Sequence, residues 1–253
     1  MGLIYSHSII EEHTLYRSSP STLSRVSDKD YPGKNYFSMD IPCIDLDAYE
    51  ESRSGENDCT VDAVIGVADY LNNRAGAPSL ALVELRMKYK SASNLDFTKI
   101  SRKVQHSRNL LAGGTIHNKD YFIFTADVAA PAVYVFKSHR QTHPNLKNAE
   151  PISVEGFKNL IKNIEDYPYQ PINSAAQIWA SLSVSDFAAL VDLLDYWLGQ
   201  SQTYKIRYDL REARHILEVM NDFLLNFQPM GEFMQEYIEL YLEDISNKIR
   251  VIS

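Results

Sequence analysis

The chain has 253 residues, 33 acidic side chains against 25 Lys and Arg, 45% hydrophobic residues and two cysteines. A chain of this length forms one large domain or two small ones and can bury roughly 70% of its extended surface, so neither a disulfide nor a structural metal is needed. A charged fraction of 23% excludes a disordered or fibrous chain, and no run approaches the roughly 18 uncharged apolar residues of a membrane span.

The net charge of -8 argues against coating nucleic acid by bulk electrostatics, yet the average conceals an asymmetry. Between Arg86 and Arg108 seven cations face the single acid Asp96, a local +6 in a chain whose remainder is -14. Residues 1–12 carry no secretory signal, so Cys43 and Cys59 are expected to be free thiols of an intracellular, cytoplasmic protein.

In chain order, Ile9 to Leu15 reads as a short helix and the Ser-rich stretch Ser18 to Ser27, with Pro20, as loop. Tyr31-Pro32-Gly33-Lys34-Asn35 is turn chemistry. Cys59 to Val67 alternates apolar residues at Val61, Ala63, Ile65 and Val67 with Asp62 on the other face, which predicts a strand. Leu80 to Tyr89 predicts a second one, with Leu82, Glu84, Arg86 and Lys88 sharing a face because strand side chains alternate. Consecutive strands of this kind are expected to pair.

Asn94 or Asp96 caps a predicted helix from Phe97 to Leu111, stopped by Gly113-Gly114. Tyr121 to Thr125 and Pro131 to Lys137 read as further strands. From Pro151 the pattern changes to amphipathic helices at Glu155 to Glu165, Ser174 to Leu182, Ser185 to Gly199, Ile206 to Phe227 and Gly231 to Ile249. This half holds 15 acids and 8 bases, so it supplies -7 of the net charge. The expected organisation is an α/β domain over 1–150 and a helical domain or outer helical layer over 151–253.

One constellation carries chemistry. Asp62 on one strand and Glu84 on the next can meet on the polar face of a hairpin, and two carboxylates on a rigid sheet suit a hard divalent cation that keeps waters or substrate oxygens. Arg86, two residues on, shares the face and can stabilise an attacking hydroxide or a developing phosphorane charge. The bland alternative is a surface Glu84–Arg86 pair.

The order of Asp62, Glu84-Leu85-Arg86, the helix Phe97 to Leu111 and the strands after it resembles the PD-(D/E)XK, or restriction-endonuclease-like, nuclease superfamily. The resemblance covers residues 56–136 and leaves the helical half undescribed. It implies a mixed sheet, Mg²⁺ or Mn²⁺ held by Asp62 and Glu84, and a lysine where this chain has Arg86. Arginine is almost never a base and its planar fork differs from an ammonium, so Lys88 enters as a substitute. Gln105, Arg102 and Lys103 are the candidates for a helix side chain facing the site. Glu50, Glu51, Glu56 or Asp58 would supply a further acid.

Other motifs point to bland roles. His139 and His143, with His117, have zinc-like spacing but no fourth ligand. Cys43 has no histidine to activate it. There is no nucleophile elbow, phosphate loop or dinucleotide fingerprint.

The expected activity is a metal-dependent phosphodiesterase on nucleic acid, DNA in the first place. Lys99, Arg102, Lys103, Gln105 and Arg108 would hold the strand, and no membrane is involved. The alternative is a non-catalytic nuclease-like subunit that binds a protein partner through residues 151–253 within a larger nucleic-acid-processing or defence complex.

Overall fold

The computed structural model describes residues 2–37, 41–54, 60–71, 74–163, 166–167, 171–182, 187–207, 210–229 and 231–252. The strands are β1 (Gly2–Tyr5), β2 (Pro20–Thr22), β3 (Pro42–Asp45), β4 (Ala63–Leu71), β5 (Arg74–Ala75), β6 (Ser79–Leu85), β7 (Asp120–Phe124), β8 (Ala149–Ser153) and β9 (Ile161–Lys162). The helices used below are α1 (His7–Glu11), α2 (Thr14–Ser18), α3 (Leu23–Asp30), α4 (Leu46–Ser54), α5 (Phe97–Leu110), α6 (Ala126–His139) and α7 (Val154–Leu160), followed by α8 (Ala175–Leu182), α9 (Phe187–Arg207), α10 (Leu210–Asn226) and α11 (Glu232–Ile252). The fold is α/β with a mixed sheet. Among the described residues no helix is long and apolar enough to cross a membrane.

The chain falls into two compact units, one of Met1–Leu71 and Ala77–Asp166, the other of Asn72–Gly76 and Tyr167–Ser253. In the first, the strand order is β2-β3-β4-β6-β7-β8. Strands β2 to β6 along that path pair antiparallel, while β6, β7 and β8 run parallel. Parallel neighbours need crossovers, and α5 and α6 lie in those two connections. β3 and β1 pair with successive halves of β4, Cys43 opposite Ile65 and Tyr5 opposite Val67.

Period-two alternation divides the core. Val64, Leu80, Leu82, Phe122 and Phe124 join one apolar cluster with Phe97, Ile100 and Val104 of α5 and Phe136 of α6. Ala63, Ile65, Ala81, Val83, Leu85, Tyr121 and Ile123 join the other, with Leu23 and Val26 of α3 and Phe157 of α7. The sheet is thus covered on both faces, and every residue of β6 is buried. By the same alternation Glu84 belongs to the face that carries α5 and α6, and Asp62, just before β4, lies among Glu84, Lys103 and Asp47. Close packing there depends on Gly66, where a Cβ would overlap the Ser6 carbonyl oxygen and Ile9 Cγ2.

Several expectations change. Residues 131–137 are helix, not strand: α6 buries Val128, Ala129, Ala132 and Phe136, a helical spacing that overrides the β-branched Val133 and Val135. The stretch read as loop after Ser18 forms β2 and α3, whose N-cap Thr22 accepts the Arg25 N–H. β6 ends at Leu85, after which residues 87–88 turn, so Lys88 does not continue the strand face. β8 and α7 belong to the α/β unit, with β8 paired along β7. α9 runs through Gly199 to Arg207.

The helical unit has its own core, in which Leu190, Leu194 and Trp197 of α9 meet Ile216, Leu217 and Met220 of α10 and Ile238 and Ile245 of α11. Trp197 Nε1 donates to Ser181 Oγ at 2.7 Å. Glu212 is completely buried and accepts the Ile172 N–H, the Asn173 N–H and Asn173 Nδ2, each at 2.9 Å.

Candidate functional site

The antiparallel β4–β6 register sets Ala63 opposite Val83, which brings Asp62, the residue before β4, to the end of the ladder beside Glu84. Asp62 Oδ2 accepts the Leu85 N–H at 2.5 Å, fixing that carboxylate against the partner strand. Glu84 is 2% exposed. Its Oε1 receives both the Arg86 guanidinium and Lys103 Nζ, the latter at 3.4 Å. Its Oε2 is buried with no hydrogen-bond partner among the described residues.

Lys103 reaches this point because α5 starts at a defined place. Asp96 caps the helix by accepting the Lys99 N–H at 2.9 Å, and the apolar set Phe97, Ile100 and Val104 turns its face to the sheet. Lys103 lies on that buried face and is 7% exposed. The opposing helix α4 is capped by Asp45, whose Oδ1 accepts the Ala48 N–H at 2.9 Å while Oδ2 pairs with Lys29 at 2.6 Å. From α4, Asp47 accepts from Thr60 Oγ1 at 3.0 Å, and Glu50 Oε2 lies 3.3 Å from His106 Nε2. Acids at i and i+3 on α4 thus answer a lysine and a histidine at i and i+3 on α5.

Five ionisable groups share a poorly hydrated space. Burial, then the neighbouring Glu84 and Asp47 set against Lys103 and the Leu85 N–H, holds the Asp62 carboxyl well above the ordinary aspartate range. Burial likewise pushes Asp47 up to about 6, against the pull of Lys103 and Thr60. For Lys103 burial works downward, but Glu84, Asp62 and Asp47 outweigh it and the ammonium is held above its usual value. Arg86 behaves in the same way, with Glu84 and Asp62 overcoming its burial. With Asp62 holding its proton, Asp47 and Glu84 balance Arg86 and Lys103, and ionising Asp62 adds one negative charge that those two cations do not offset.

The orphaned Glu84 Oε2, with the charge that Asp62 adds on giving up its proton, fits a cation. Among the described residues no group of three or more His, Cys, Asp or Glu side chains forms a complete cage. Mg²⁺ does not require one, since it retains waters and binds through one or two carboxylates plus substrate phosphate. Asp62 and Glu84 would hold it.

The other predicted residues separate by helix face. Lys99 lies one turn from Lys103, beside the site. Arg102 and Gln105 are exposed on the adjoining face, and Gln105 Nε2 donates to Asn109 Oδ1 at 2.9 Å. Arg108 Nη2 donates to both oxygens of the buried Asp120, at 3.0 and 2.8 Å, so it ties α5 to β7. Lys88 is directed elsewhere, its Nζ 5.0 Å from the Tyr31 ring centroid. Glu51 is exposed, while Glu56, Asp58 and Cys59 lie outside the described residues.

The alternative motifs find other roles. The His139 ring stacks on Phe97 with centroids 3.9 Å apart. His117 Nε2 faces Asp69 at 3.6 Å. Burial raises the Cys43 thiol to about 12, the reverse of nucleophile activation.

Sequence reasoning missed Asp47. Its place in the site depends on Thr60 and on the approach of α4 to α5, neither of which leaves a local pattern. The signal for Lys103 was available: between Ile100, Val104 and Ser107 it sits on the buried arc of the helix, whereas Arg102 and Gln105 do not. Comparison of the chain with protein-family models, with curated proteins and with solved structures returns no match.

Proposed function

We propose that the chain is a divalent-metal-dependent phosphodiesterase acting on nucleic acid, with DNA as the first substrate to test and a restriction-endonuclease-like core. The observation that carries this reading is the buried Glu84. One of its oxygens is shared by Lys103 and Arg86, the other is without a partner among the described residues, and Asp62 is held beside it across the β4–β6 ladder. A structural ion pair has no use for an orphaned carboxylate oxygen, which leaves a desolvated acceptor at a cost of about 1–3 kcal/mol.

Mg²⁺ or Mn²⁺ bound by Asp62 and Glu84 would supply Lewis-acid polarisation of a phosphoryl oxygen and a lowered pKa for a bound water. The chain's own groups do the rest. Lys103 replaces Arg86 in the role that the family resemblance gives to a lysine: its ammonium stands against Glu84 and stabilises charge developing on the phosphate. Arg86 orients Glu84 through the guanidinium and keeps its charge at every working pH. Asp47 and the Glu50–His106 pair anchor α4 to α5 and so hold Lys103 in place. Lys99 and Arg102 contact the strand's phosphates, which positions it without reading sequence.

The test is cleavage of single- and double-stranded DNA and RNA in Mg²⁺, in Mn²⁺ and in chelator. Asp62→Asn and Glu84→Gln should each abolish divalent-dependent cleavage in a folded chain; cleavage unchanged in both refutes the assignment. A second reading, a non-catalytic subunit docking a protein partner, draws on the large apolar side chains exposed on the helical unit, among them Tyr196 and Leu240. It expects no cleavage and a defined complex on co-purification.

A further inference from the structure

Beside the carboxylates opens a cleft of about 100 Å³, lined by Arg86 and Tyr89 after β6 and by Asp96, Lys99, Ile100 and Lys103 of the α5 cap and its first two turns. Lys99 and Lys103 are spaced i and i+4, so both side chains project from one face of the helix. The cleft therefore carries three cations and a single acid.

Arg86 is held in an unusual way. Its Nη1 donates to the Tyr89 hydroxyl at 3.4 Å, its guanidinium carbon lies 5.4 Å from the Tyr89 ring centroid, and Nη2 pairs with Glu84. The buried Nε–H has no acceptor among the described residues. Arg108 and Arg140 leave the same donor unpaired, so it is the basic lining of the cleft, Arg86 with Lys99 and Lys103, that calls for an anion.

A cleft of about 100 Å³ has room for a tetrahedral oxyanion.

We propose that this cleft is a metal-independent subsite for one phosphate group of a nucleic-acid strand, gripped by Lys99 and Arg86 and weakened by Asp96. Assigning the phosphate to nucleic acid rests on the nuclease reading; the phosphate chemistry does not. The site takes either a terminal or a backbone phosphate.

The experiment uses the full chain in chelator, so that no cation bridges the anion to Glu84. Inorganic phosphate is titrated by calorimetry, followed by short oligonucleotides of one sequence carrying a 5′-phosphate or a 5′-hydroxyl. Wild type should bind inorganic phosphate saturably. Lys99→Ala should weaken binding about tenfold, the loss of one charge-assisted contact. Asp96→Asn should tighten it several-fold, because asparagine keeps the capping oxygen for the Lys99 N–H while removing the only negative charge on the cleft wall. Lys158→Ala, a charge removal on α7 over the opposite face of the sheet, should leave it unchanged. Opposite shifts in two variants on one helical turn cannot both come from misfolding.

Tighter binding of the 5′-phosphorylated strand assigns a terminal phosphate. Equal binding of both strands, each weakened by Lys99→Ala, assigns a backbone phosphate. No saturable phosphate binding, or binding indifferent to both Lys99→Ala and Asp96→Asn, overturns the subsite even if divalent-dependent cleavage is found. Phosphate binding with those shifts in a chain that never cleaves supports the subsite and removes the nuclease reading alone.

Discussion

Two buried glutamates, one in each unit, show how the same side chain serves different ends. Glu212 in the helical unit accepts three hydrogen bonds at 2.9 Å from two consecutive residues and so fastens the segment before α8 to α10. Glu84 in the α/β unit has two cations on one oxygen, no partner among the described residues on the other, and two further carboxylates nearby. A fully satisfied buried charge is a fastening. An unsatisfied one, set among groups whose ionisation is perturbed, marks a place where something else binds.

The largest expected effect follows from the first half of that contrast. Glu212→Ala leaves three part-buried donors of Ile172 and Asn173 without their acceptor and should destabilise the helical unit by about 2–3 kcal/mol, read by chemical denaturation. Glu212→Gln should recover part of the loss and leave cleavage untouched. If Glu212→Ala lowers activity without lowering stability, the division of roles is wrong.

Asp62→Asn should behave in the opposite manner. Cleavage should fall by at least about a hundredfold, while asparagine still accepts the Leu85 N–H and the fold persists. The sign of the stability change follows from linkage. Asp62 holds its proton more tightly in the folded chain than in the unfolded one, so its contribution is lost as pH rises from the ordinary aspartate value through the folded one. At neutral pH the variant should therefore melt no lower than wild type. Lys103→Met should lower the cleavage rate by about a hundredfold in single-turnover assays, more than the same change at Lys99.

Much of this site can be read in the chain itself. Alternation at Ala63, Ile65 and Val67 and again at Leu80 to Leu85 fixes the face of Glu84 and the pairing of the strands, whereas Val61, expected on the Ala63 face, precedes β4 and packs with Val64 on the other. Lys103 required a choice among three helix positions, which burial made. β2 and β3 escaped notice because three- and four-residue strands beginning at Pro20 and Pro42 have no room for a pattern; proline is tolerated at the first position of a strand. In α6, the run Ala132 to Phe136 is rich in strand-favouring residues, and only its packing against the sheet decides for helix.

Smaller effects concern protons. Asp47, with its carboxyl pushed up to about 6 against an ordinary value near 4, binds its proton more tightly when folded. Its contribution to stability is therefore greatest in acid and is lost as pH rises through that window. Asp47→Asn should flatten the melting temperature between about pH 4 and 6. Least of all, Arg102→Ala on the exposed face of α5 should weaken DNA binding only a few-fold and lower the salt slope by about one.

The account stands most directly on cation binding by Asp62 and Glu84. Calorimetric titration of the full chain with Mn²⁺ should show one site, with affinity rising from pH 5.5 to pH 8 and protons released on binding, because Asp62 must ionise to take part. Both Asp62→Asn and Glu84→Gln should lose that site while keeping their melting transitions. Mn²⁺ binding of equal strength in wild type and in both variants, or none in wild type at millimolar metal, would contradict it.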